Sequence, residues 1–199
     1  MPKIHPSVRE GRRQRFIDAA WRCAARKGFR DTTVDDVCNE IAASKGAFYG
    51  YFASKRALLL ALLDDDAADL DEIMAALDRR GLTAVECLRR FTKAMVDRGA
   101  DQARAQVRAD LWATALTEPE VRDRVASLVG HRRVLLRTWV RAAVENGELA
   151  LDVVPNAFAA VLLALGDGLM LHNAIDASGF RWPNIARALD EIFAGLAAG

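Results

Sequence analysis

Apolar residues along this 199-residue chain recur every three or four positions, and capping residues stand at the starts of the apolar runs. No stretch alternates apolar and polar residues long enough to line one face of a sheet. A chain patterned this way buries its apolar surface helix against helix, so the sequence predicts an all-α fold of about nine helices. The first is expected over about 12–27. There Phe16, Ile17, Ala20, Trp21 and Ala24 share a face, Arg26 and Lys27 suit the negative end of the dipole, and Gly28 supplies a left-handed stop. Thr33 and Asp36 have capping-box spacing at the head of the second helix. After a break near Ala42-Ala43, Ser44 caps a third helix through Phe52, and Ser54 opens a fourth that reaches about Arg80. Thr83 with Glu86 starts a fifth that ends near Gly99, and a sixth covers roughly 104–116. Thr117-Glu118-Pro119-Glu120 combines a capping box with a first-turn proline for a seventh, which stops at Asn146-Gly147. The eighth runs from about Pro155 to Ala174 and the ninth from about Pro183.

The net charge of +1 conceals an asymmetry. Residues 1–55 carry 11 Lys/Arg and 6 Asp/Glu, whereas 56–199 carry 17 and 21. A basic head on an acidic body suits a molecule of which only one part meets a polyanion. Cys23, Cys38 and Cys87 are widely spaced on apolar stripes, as small core residues are, and neither CxxC nor His-x-x-x-His occurs, so no metal or cofactor is expected. The N-terminus has no apolar signal segment, and the longest apolar run, 157–166, is too short for a bilayer. A cytoplasmic protein without a membrane partner is expected. No nucleophile–base pair or phosphate-cradling loop emerges, and Asp167 is a lone carboxylate, so an enzyme is not expected.

The informative stretch is 32–58, TTVDDVCNEIAASKGAFYGYFASKRAL. Val37, Ile41, Phe48 and Phe52 are spaced to pack beneath two short helices, leaving Ser44, Lys45, Gly46, Ala47, Tyr49, Gly50 and Tyr51 outward. The small residues let a backbone approach closely, the tyrosines offer hydroxyls to phosphates, and Lys45 reaches a phosphate or a guanine edge. Lys55 begins the fourth helix, whose free amides favour a phosphate. Upstream, Lys3, Arg9, Arg12, Arg13 and Arg15 form a basic arm suited to a phosphate backbone or a minor groove. A plain helical hairpin with surface tyrosines fits the same spacing.

Thr32-Thr33-Val34, Val37, Ser44-Lys45-Gly46, Phe48-Tyr49, Tyr51-Phe52, Ser54-Lys55 and Leu58, preceded by Lys27-Gly28-Phe29, resemble the tetracycline-repressor (TetR) family of helix-turn-helix regulators. The resemblance covers the first 60 or so residues in detail and the remaining helices in number and length. It implies a DNA-binding domain at 1–55, with Thr33, Ser44 to Ala47, Tyr49 to Tyr51, Lys55, Arg12 and Arg13 near a palindromic duplex. It also implies a dimerisation and ligand-binding domain at 56–199 and a repressor released by a small-molecule effector. Three departures stand out. Ala42 takes the turn position usually held by Gly, so that the turn either needs no positive φ or carries strain. Ala47 and Gly50 lack side chains that often touch DNA in relatives.

For the body, the eighth helix has small residues at Ala157, Ala160, Ala164 and Gly168 and a second stripe at Phe158, Val161, Leu165, Leu169 and His172. With Ile185, Leu189, Ile192, Phe193 and Leu196 of the ninth it can form a two-fold four-helix homodimer interface. Candidate pocket residues are Phe91, Met95, Arg108, Trp112, His131, Leu135, Trp139, Met170 and His172, an aromatic set with a few polar groups, although such residues also serve as ordinary core. The competing reading is a structural DNA-binding protein with the same head and a filled, ligand-independent core.

Overall fold

The computed structural model describes residues 6–150, 152–179 and 181–196. Among the described residues are nine α-helices and no strand: α1 (Pro6–Lys27), α2 (Val34–Glu40), α3 (Lys45–Tyr49), α4 (Lys55–Asp78), α5 (Ala84–Ala100), α6 (Gln102–Thr117), α7 (Pro119–Glu145), α8 (Pro155–Ile175) and α9 (Trp182–Gly195). A 3-10 turn, Ala177–Gly179, lies between the last two.

The helix starts follow side-chain chemistry. The hydroxyls of Thr33, Ser44, Ser54 and Thr83 accept from the amides of Asp36, Ala47, Ala57 and Glu86, each satisfying a donor that the helix itself leaves free. Gly28, Gly81 and Gly147 take positive φ after α1, α4 and α7. Four boundaries differ from expectation. α1 begins six residues early, at Pro6, so that Arg9, Arg12, Arg13 and Arg15 are helical rather than parts of a free arm, and Lys3 lies outside the described residues. α3 ends at Tyr49, not Phe52. α6 starts at Gln102 because the Asp101 carboxylate accepts from the Arg104 amide. The capping box expected at Thr117 is absent: Thr117 ends α6, and its hydroxyl donates to the Thr114 carbonyl one turn back. Glu118 occupies the N-cap of α7 without a side-chain bond to the helix amides.

Two hydrophobic cores share the molecule. The first gathers α1, α2, α3 and the start of α4, and is completed by Val107, Leu111 and Ala115 of α6 and Val121 of α7. The second gathers the rest of α4 with α5, α7, α8 and α9. α4 runs through both and sends carboxylates to its neighbours: Asp65 accepts from Trp21 and Gln14 of α1, Asp66 pairs with Arg98 of α5 and Arg108 of α6, and Asp71 and Asp78 meet Arg132 and Trp139 of α7.

α8 has the length and composition to cross a membrane, with a mean hydropathy of 1.6 over its most apolar window, so the short run at 157–166 understates it. It packs against α5, α6 and α7 as a bundle helix. Its buried face is Ala159, Leu162, Leu163, Gly166, Met170 and Asn173, which is neither of the two stripes read from the sequence. Those residues flank the buried face instead. Ala157, Val161, Ala164, Leu171 and Ile175 are exposed, and α9 adds exposed Ala188 and Ile192. The spacings of three, four and seven along α8, with half-buried Gly168 in the longest gap, keep these residues on one face as an apolar stripe.

Candidate functional site

The head is organised by aromatic packing. Phe48 is fully buried in α3 and meets Phe16 of α1 edge-on at 5.7 Å, with Phe52 and Tyr51 also against Phe16. This fixes α3 against α1 by one face and leaves Ser44, Lys45, Gly46, Ala47, Tyr49 and Gly50 exposed on the other. Thr33 lies at the start of α2, where its amide and hydroxyl donate to Asp36, which also accepts from Lys27 at 2.7 Å. The Lys27 ammonium and the Thr33 donors hold the Asp36 carboxyl well below its ordinary range. Lys45 pairs with Asp35 at 2.9 Å on the exposed surface, an interaction weak enough for a phosphate to replace.

Ala42 links α2 to α3 with φ +52, the one non-glycine residue with positive φ among the described residues. Of the two possibilities the sequence left open at this position, the structure takes the strained one. The turn is held by the amides of Ala42 and Ala43, which donate to the carbonyls of Asn39 (3.2 Å) and Cys38 (2.8 Å).

Three of the expected DNA residues are partly engaged within the head. Tyr51 is half-buried against Phe16. Arg13 pairs with Glu10 and sits 5.4 Å from the Phe52 ring centroid. Lys55 donates to the Arg30 carbonyl at 2.7 Å over the Phe29 ring, and burial lowers its pKa. Head and body meet at α6. Asp110 accepts from the amide of Phe29 at 2.6 Å and of Arg30 at 3.3 Å, bracing the loop after α1, while Arg56 pairs with Glu118 and Glu120.

A cavity of about 60 Å³ lies in the body between α4, α5, α6, α7 and α8. Met95, Arg108, Trp112 and Met170 line it, together with Asp66, Arg98, Arg132 and Asp167. Arg108 is buried, donates to Asp66 at 2.8 Å and to the Arg98 carbonyl at 2.9 Å, and is lowered in pKa mainly by burial. Gly166 lets α8 approach α5, since a Cβ there would overlap Met95.

The profile described as bacterial regulatory proteins, tetR family, matches residues 16–62, and that of the BetI-type transcriptional repressor C-terminal domain matches 84–198. The chain belongs to the TetR family. It is 30% identical over 200 residues to the HTH-type transcriptional repressor AcnR of Corynebacterium diphtheriae, covering 96% of this chain and 94% of that protein. It is also similar in fold to a transcriptional regulator from Saccharomonospora viridis solved in complex with choline, with TM-score 0.80, 21% identity, and coverage of 93% and 96%. Salmonella enterica GusR shares the fold at TM-score 0.74 and 24% identity, with 98% of each chain covered. The protein is a DNA-binding transcriptional regulator with an N-terminal helix-turn-helix head.

Within this TetR-family body, the sequence-predicted pocket residues separate into three groups. Met95, Arg108, Trp112 and Met170 come together around the cavity. Phe91, Trp139 and Leu135 belong to the second core, where Trp139 donates to Asp78 at 3.1 Å. His131 and His172 are exposed and line no part of the cavity. Asp66, Arg132 and Asp167 stand outside the predicted set although they line the cavity. A carboxylate in mid-helix among apolar neighbours, as Asp167 is on α8, was the available signal. Asp110 carried no comparable signal, because its partners are backbone amides about 80 residues away.

Proposed function

We propose that the protein is a repressor whose homodimer grips a palindromic operator through two copies of α3 and releases it when a small molecule occupies the body cavity. The observation carrying this reading is the position of α6. Arg108 and Trp112 on this helix line the cavity, while Val107, Asp110 and Leu111 of the same helix meet the head. A ligand that shifts α6 therefore acts on both, and an altered head spacing no longer matches successive major grooves.

In this reading residues 1–55 bind DNA and 56–199 dimerise and sense the ligand. Ser44, Lys45, Tyr49, Thr33 and Arg12 contact the duplex, Gly46, Ala47 and Gly50 let it approach, and Tyr51, Arg13 and Lys55 brace the head from their half-buried positions. The exposed apolar stripe of α8 with Ile192 of α9 forms the dimer face. The protein works in the cytoplasm, where the DNA is, and catalysis forms no part of the reading.

A second reading, a ligand-independent DNA-binding protein, is favoured by the small cavity, since drug-sized ligands occupy roughly 300–1,000 Å³. Selecting bound duplexes from a genomic pool, then screening small molecules for loss of binding, separates the two. A palindromic operator that is released by a ligand supports the first reading. An operator that no molecule releases supports the second.

A further inference from the structure

The exposed face of α3 is bare at its centre. At about 3.6 residues per turn, Gly46 and Gly50, each two residues from the buried Phe48, fall on the side of the helix opposite that ring. The fold demands neither glycine. Gly46 is helical, and Gly50 closes α3 with φ −70 and ψ −17, a conformation open to any residue. A Cβ on Gly46 would have the Ser44 Oγ, at 3.8 Å, as its nearest neighbour outside the helix backbone, and one on Gly50 would come to 3.3 Å from the Ala47 carbonyl oxygen. Alanine thus fits Gly46 freely and Gly50 with a small adjustment, and a helix prefers it. Exposed Ala47 and Tyr49 flank the two glycines. The Tyr49 ring stands edge-on against Phe48, with 5.3 Å between centroids and 88° between planes, and forms a fixed wall. The hydrogen-bonding side chains sit further round the helix: the Ser44 hydroxyl accepts from the Ala47 amide, and Lys45 is drawn towards Asp35. What the centre of α3 offers a base edge is a notch of Cα and methyl carbon with one aromatic side.

On the major-groove edges of the bases the one apolar substituent is the C5-methyl of thymine. Guanine, adenine and cytosine present donors or acceptors there, which a carbon notch would strip of water without pairing. We propose that Gly46, Ala47, Tyr49 and Gly50 seat a thymine methyl group in each half of the operator and so determine specificity at that base pair. The proposal rests on the reading of α3 as the DNA-contacting helix and names the base that its centre selects. Lys45, on the flank, is left to phosphates or to a neighbouring base.

The test uses the full-length protein and operator duplexes selected from a random pool, remade with deoxyuridine at each thymine in turn. That exchange removes the methyl and nothing else. One position per half-site should respond, with affinity falling about fourfold for one half-site and about fifteenfold for both, the worth of one and two buried methyl groups. Gly46→Ala should raise the folded-to-unfolded ratio of the protein about two- to fivefold, yet weaken binding of the thymine operator, because its own methyl fills the notch. The deoxyuridine penalty should shrink in that variant, which a glycine of purely structural role would not cause. Ala47→Gly, which opens one wall, should shrink the penalty as well. Lys45→Ala should weaken the thymine and deoxyuridine operators by the same factor. The proposal is overturned if no thymine responds to the loss of its methyl, if Gly46→Ala binds the operator as tightly as the wild type, or if its deoxyuridine penalty is unchanged. Should Lys45→Ala still weaken binding in that case, α3 remains the DNA-contacting helix and selects its bases by other contacts. If Lys45→Ala has no effect either, the reading of α3 falls together with the proposal.

Discussion

Replacing Ala42 with Gly should stabilise the protein, although it removes a methyl group and loosens the unfolded chain. Ala42 holds φ +52 in the turn between α2 and α3, and the left-handed region costs an L-residue about 1–2 kcal/mol. Glycine avoids that cost but returns about 0.4–1 kcal/mol through the greater entropy of its unfolded chain. The side chain is exposed, so little burial is lost. The net gain is about 0.5–1 kcal/mol, or about 1–4 °C in Tm for a chain of this length. Urea unfolding followed by circular dichroism measures it, with an unchanged m-value showing that the denatured state is comparable. Ala42→Val is the counterpart: a β-branched residue is less tolerant of this φ, so its midpoint should fall. Operator affinity should hold in Ala42→Gly, because both turn hydrogen bonds come from backbone amides that glycine retains. A lower midpoint for Ala42→Gly together with an unaffected Ala42→Val would refute the reasoning.

The other expectations concern the body. Ile192→Arg places a charge on the proposed dimer face and should cost about 2–5 kcal/mol of association, raising the dimer Kd about 30-fold or more; sedimentation that still shows a tight dimer would put the interface elsewhere. Asp110→Ala strips the acceptor from the Phe29 and Arg30 amides and should cost about 1–3 kcal/mol of stability, with weaker operator binding and an intact dimer. The folded pKa of Asp167 lies above its unfolded value, so its ionised form opposes folding above pH 6 and ceases to as pH falls towards 4. Asp167→Asn should therefore stabilise the ligand-free protein at pH 7.5 by about 2 kcal/mol after allowance for partial exposure, and the gain should vanish near pH 4 in parallel denaturation curves.

Local signals in the sequence are legible where one residue and its near neighbours decide the outcome. Thr33 with Asp36, Ser44, Ser54 and Thr83 with Glu86 cap where their spacing indicates, because the partner amide lies three residues on. Phe16, Val37, Phe48 and Phe52 are buried as their periodicity requires. Thr117 failed because two helices compete for it, and membership of α6 prevailed. The cavity was only partly legible. Phe91 and Met95 are four residues apart on one face of α5 and both belong to the second core, yet of the two only Met95 lines the cavity. α8 is apolar nearly all round, so its sequence could not say which stripe faces inward. Its buried face became visible only with Gly166 under Met95 and Asn173 donating to the Gly99 carbonyl.

The most direct test of the central claim, that the exposed face of α3 in a dimer binds duplex DNA, is the salt dependence of operator affinity for the full chain and for Lys45→Ala. If the dimer neutralises about 6–10 phosphates, affinity should drop roughly 10³–10⁵-fold between about 50 and 200 mM salt. Lys45→Ala should reduce the log–log slope by about 2, one phosphate contact per protomer. A near-flat dependence in the wild type, or a slope that Lys45→Ala leaves unchanged, would contradict the assignment of α3 as the DNA-contacting helix.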